Sequence, residues 1–132
     1  MDFRDANEED SLATSVESIR VEEVLNYFRD IKAIIEEPSK VRRYLYRHPE
    51  IAELSRFVAE QVSRHFDSSV QLCLCISDDD EPDSEYLALF LRVPNYDDSV
   101  MDRIRKIRES YYDLLNDMTG WFLLTTDFSS PR

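Results

Sequence analysis

Between Tyr86 and Phe128 an alternating apolar run, YLALFLRV, is followed by a Pro94-Asn95 turn, a long amphipathic segment and a second apolar run, WFLLTTDF. Alternation at period two reads as a strand, and apolar residues recurring every three to four positions read as a helix, so this stretch predicts strand, helix, strand. A connection of this kind is a crossover, and crossovers join parallel strands. Along the first strand Leu87, Leu89, Leu91 and Val93 share one face, while Tyr86, Ala88, Phe90 and Arg92 share the other. Val100, Ile104, Ile107, Tyr111, one of Leu114 and Leu115, and Met118 form the helix stripe, with Asp97 or Asp98 as its cap. Gly120, the chain's only glycine, falls where a left-handed helix terminator or tight turn is expected.

Upstream, VQLCLCIS alternates in the same way, with Val70, Leu72, Leu74 and Ile76 opposite Gln71, Cys73, Cys75 and Ser77, and it predicts a hairpin with the Tyr86 strand. If the last strand docks beside this one, VQLCLCIS is the central strand. Three helices precede it. Val21, Val24, Leu25, Phe28, Ile31 and Ile35 mark the first, which Ser18 caps and Pro38 stops. Val41, Tyr44 and Leu45 mark a short second helix. Pro49 opens the third, whose stripe runs through Ile51, Leu54, Phe57, Val58, Gln61, Val62 and Phe66. The fold class is therefore α+β: N-terminal helices followed by a β-β-α-β unit forming a three-stranded mixed sheet. Residues 1–17 read as an acidic, disordered tail, and 18–132 as a single domain with a helical part at 18–47 and a core at 48–128.

The formal charge is -12, and two segments carry nearly all of it. Residues 1–18 hold six acids against Arg4, and 78–85 hold Asp78, Asp79, Asp80, Glu81, Asp83 and Glu85 with no base. The rest is a nearly neutral body, and it is the net negative charge that disfavours nucleic acid and anionic lipid at long range. Lys40, Arg42, Arg43 and Arg47 form the exception, a basic run interleaved with Tyr44 and Tyr46. It is a candidate site for phosphate, nucleic acid or an acidic partner, set against the simpler reading of a solvated helix face.

Several chemistries are excluded. One glycine cannot build a phosphate-cradling loop, and no serine lies in a nucleophile-elbow sequence. The two histidines, if one helix runs from Pro49 to His65, lie roughly 25 Å apart and cannot share an ion. Cys73 and Cys75 stand on one strand face and read as small packed residues, reduced rather than bridged. Asp78, Asp80 and Asp83 could hold a hard cation, which keeps a metal-dependent hydrolase as an alternative, but the spacing is not that of a calcium loop. No catalytic residue and no cofactor is expected. The N-terminus has neither the charge nor the apolar run of a signal peptide, and no stretch is long enough to span a membrane, so a soluble cytoplasmic protein is expected.

YLYRHPEI, DDDEPDSEYLALFLRV and GWFLLTTDF together resemble a family of small uncharacterised prokaryotic α+β proteins. That resemblance covers about two thirds of the chain and implies no assigned activity, cofactor or site residue. From the residues themselves the expected function is macromolecular binding or regulation. The partner is expected to be a protein, with homo-oligomerisation open and Tyr86 and Phe90 joining the basic run as candidate contacts. The face bearing those two aromatics needs a cover: the first helix folded back over it, a second copy, or another protein.

Overall fold

A computed structural model describes residues 18–78 and 84–132. It is α+β, with four α-helices and a four-stranded mixed sheet among these residues. The elements are α1 (18–30), β1 (Ile34–Ile35), α2 (Pro38–Arg47), α3 (Pro49–His65), β2 (Gln71–Ser77), β3 (Tyr86–Arg92), α4 (Asp98–Tyr111) with a 3-10 turn at Tyr112–Asp117, and β4 (Phe122–Thr125).

The expected three-stranded sheet is corrected to four strands, because the first helix ends earlier than its apolar spacing suggests. Lys32 takes a left-handed conformation (φ 62). The Ala33 N–H donates to Phe28 O and the Lys32 N–H to Arg29 O, both at 2.9 Å, which is the paired closure of a Schellman ending. Ile35 therefore leaves the helix and enters a short strand parallel to β2, with Ile34 opposite Cys73 and Ile35 opposite Leu74. Pro38 starts α2 rather than stopping α1.

The strand order is β1-β2-β3-β4. β2 and β3 pair antiparallel as expected, from Gln71 opposite Arg92 to Ser77 opposite Tyr86. β4 lies parallel to β3, with Leu87 opposite Phe122 and Leu89 opposite Leu124. It therefore docks beside β3 and not beside β2, whose other edge β1 already occupies. The outer edge of β4 is closed at Leu124, whose N–H donates to the Tyr111 hydroxyl (3.0 Å) and whose carbonyl accepts from Arg108 Nε (2.7 Å). Side chains that satisfy an edge in this way block strand addition there.

All four helices contribute to one apolar core on one side of the sheet. Val21, Val24, Leu25 and Phe28 of α1 join Leu45, Ile51, Val58 and Val62, the α4 stripe through Tyr111, and Leu72, Leu74, Leu87, Leu89, Leu91, Phe122 and Leu124. Asp97 caps α4 by accepting from the Ser99 N–H at 2.9 Å. Gly120 does not have the positive φ expected of it. Glycine is needed because a Cβ would lie 2.8 Å from Ile51 Cγ1 and 2.9 Å from both His48 Cγ and the Tyr44 hydroxyl.

Candidate functional site

α1 does not fold back over the second face of the sheet, since its apolar stripe is spent in the core on the opposite side. Tyr86, Phe90, Cys75, Ile34, Leu123 and Thr125 are half-buried on that face. Trp121 has the same strand parity as Leu123 and extends the surface. It is 41% exposed and meets the 57% exposed Tyr112 edge to face, with ring centroids 6.2 Å apart. Leu114, 51% exposed, follows on the same 3-10 turn as Tyr112. Exposed Trp and Tyr of this kind are the side chains that anchor protein interfaces.

The lower end of the face is closed by the segment after β4. Arg92, only 5% exposed, donates from Nη2 to Asp127 Oδ2 at 2.8 Å, and its Nε lies 3.3 Å from both carboxylate oxygens. These bonds hold the Asp127 carboxyl well down, at about 2, against the opposing effect of burial. Tyr96 donates to Ser129 O at 2.6 Å, and Gln71 exchanges two hydrogen bonds with the Arg132 backbone. Cys73 is buried and Cys75 half-buried, both reduced. Burial pushes the Cys73 thiol up to about 11, with Glu36 adding to it, so little thiolate forms at neutral pH.

The basic run divides. Arg42 makes two bonds to Glu22 (Nε to Oε2 3.1 Å, Nη2 to Oε1 3.2 Å), joined there by the Tyr46 hydroxyl at 3.0 Å. Lys40 lies 3.9 Å from Glu37. Arg43 and Arg47 are exposed and enter no ion pair among the described residues. Arg47 lines a cleft of about 590 Å³ where the end of α2 meets the loop before β4. Of the metal alternative, Asp80 and Asp83 lie outside the described residues. No group of three or more His, Cys, Asp or Glu residues that could hold a metal ion occurs among the described ones, and none of their helices is long and apolar enough to cross a membrane.

Sequence reasoning missed this cleft. Its centre is His48, which closes α2 by donating its N–H to Tyr44 O (3.0 Å) and directly precedes α3. The His48 Nδ1 lies 2.8 Å from Thr119 Oγ1. Thr119 in turn donates its hydroxyl to Glu50 Oε1 at 2.6 Å and its N–H to the same oxygen at 3.1 Å. Burial works to raise the Glu50 carboxyl, but the Thr119 hydrogen bonds outweigh it, with help from the Glu50 amide, so the net direction is downward. The Tyr44 phenol, raised by burial, brackets Trp121 by accepting from its N–H (2.9 Å) and donating to its carbonyl (3.3 Å). The one available signal was Gly120, whose missing side chain lets the loop press on the imidazole. No family model, curated protein or solved structure matches this chain.

Proposed function

We propose that this protein is a binding module for another protein and that the uncovered face of the sheet is its contact surface. The observation that carries the reading is the one-sided packing. Apolar side chains of four helices share one core with Leu87, Leu89 and Leu91, while Tyr86 and Phe90 on the same strand stay outside that core with no helix over them among the described residues. Apolar surface left in this way marks an interaction site. The hydrogen bonds that cap Leu124 argue against strand addition at the β4 edge, beside which Trp121 continues the face. Six acids lie in the sequence between Ser77 and Tyr86, and their charge disfavours nucleic acid as the partner.

A photo-crosslinking amino acid placed at Phe90, and separately at the exposed Arg105 on α4, tests the reading in cells. A discrete adduct is expected from Phe90 and none from Arg105. An adduct of twice 15.6 kDa identifies a second copy of the chain as the partner. Identical adducts from both positions, or none from Phe90, would sink the proposal.

A further inference from the structure

The cleft at His48 carries an inference that does not depend on the sheet face. The Thr119 hydroxyl has a single proton, and its 2.6 Å contact with the ionised Glu50 commits that proton to the carboxylate. The oxygen can therefore only accept from His48, so Nδ1 carries the hydrogen, and whenever the ring holds one proton Nε2 carries the lone pair. The ring cannot turn away. Tyr44 lies against it with centroids 4.6 Å apart, and Gly120 presses on it so closely that a methyl group at that position would sit 2.9 Å from Cγ. Nε2 has no hydrogen-bond partner among the described residues, and His48 lines the cleft together with the unpaired Arg47.

We propose that this cleft binds a phosphate group that retains one proton, with the Arg47 guanidinium on its charged oxygens and His48 Nε2 accepting its P–O–H hydrogen. Arg47 supplies the planar donor fork suited to such oxygens. Two of the lining residues offer acceptors that repel a bare oxyanion, His48 through its Nε2 lone pair and Glu85 through its carboxylate. A proton-bearing oxyanion turns the first of those repulsions into a hydrogen bond. The site therefore discriminates by the proton as well as by charge, in the way that a buried acceptor rejects an analogue lacking the matching donor. Thr119 and Glu50 are positioning residues, which act by holding the tautomer.

Hydrogen phosphate and sulfate at pH 8 make a matched pair of probes, because both are dianions of similar shape and only the first carries an O–H. Long-range proton–nitrogen spectra of the full chain read the His48 ring, with the exposed His65 as internal reference. The free protein is expected to show His48 protonated at Nδ1. Inorganic phosphate at constant ionic strength should shift Nε2 saturably and leave His65 unmoved, and sulfate should not shift it. Arg47→Ala should weaken phosphate binding about tenfold, the effect of one charge-assisted contact. Thr119→Val should release the tautomer and weaken binding as well. Both altered side chains are on the surface, and if either variant were misfolded the contrast between phosphate and sulfate in the wild type would still decide. An Nε2-protonated ring in the free protein, no saturable shift with phosphate, or an equal shift with sulfate would overturn the proposal.

Discussion

Leu89 and Phe90 are neighbours on one strand, yet they belong to different halves of the molecule. Leu89 is fully buried between β2 and β4 partners beneath the helices, whereas Phe90 is half-buried on the face that none of the described helices covers. The alternation of a strand puts adjacent side chains on opposite surfaces, so a single residue step crosses from the core that maintains the fold to the surface we propose as the contact face. The two faces also differ in chemistry. The core face is aliphatic and aromatic throughout, while the other mixes Tyr86, Phe90 and Leu123 with an ion pair, two thiols and the segment after β4 that Arg92 and Tyr96 hold down.

The largest effect should come from the core face. Leu89→Ala removes a fully buried side chain and should cost about 3 kcal/mol, read from urea unfolding. A loss near zero would mean that the two faces are not divided as described. Gly120→Ala should follow, at about 2 kcal/mol, because its methyl would enter the space of Ile51, His48 and Tyr44. An unchanged midpoint would show that the loop yields easily and that the His48 ring is not clamped.

On the open face the Arg92–Asp127 pair should matter less, and in a way that depends on pH. The Asp127 carboxyl is held at about 2 in the folded protein, below the value of about 3.9 expected of the unfolded chain. A depressed folded value stabilises the protein above the unfolded one, so the contribution is present above about pH 4 and lost as the pH falls through about 2. Allowing for the 31% exposure of Asp127, Asp127→Asn should cost roughly 1 to 2 kcal/mol at pH 7 and close to nothing at pH 2. A cost independent of pH would refute the assignment. Lys32→Gly should gain about 0.5 to 1 kcal/mol, since glycine accepts the left-handed conformation that lysine holds there at the end of α1. A loss of stability would point to a packing role for the lysine side chain instead.

Most of the fold could be read from periodicity. The buried positions of α1 from Val21 to Phe28, of α2, and of α4 from Val100 to Tyr111 are the apolar positions of each pattern, and the faces of β2 and β3 follow their alternation. The errors came where a backbone conformation overrode a side-chain pattern. Ile31 and Ile35 continue the helical spacing, but Lys32 turns left-handed between them and sends Ile35 into the sheet. Phe57 also satisfies a helical spacing and yet stands 39% exposed, because spacing cannot say how wide a stripe the neighbouring elements will cover. The site was less legible than the fold. Arg47 and Arg42 look alike in sequence and separate only when Glu22, twenty residues before Arg42, pairs with one of them. The cleft joins His48 to Thr119 across a separation of 71 residues, which no local pattern reports.

The division between the two faces is tested most directly by Phe90→Thr, which keeps a strand-forming residue while removing the ring, measured by equilibrium unfolding beside the wild type. The variant is expected to remain folded with a change of about 1 kcal/mol or less. A loss comparable to that of Leu89→Ala would contradict the account, because Phe90 would then be holding the fold together rather than facing a partner.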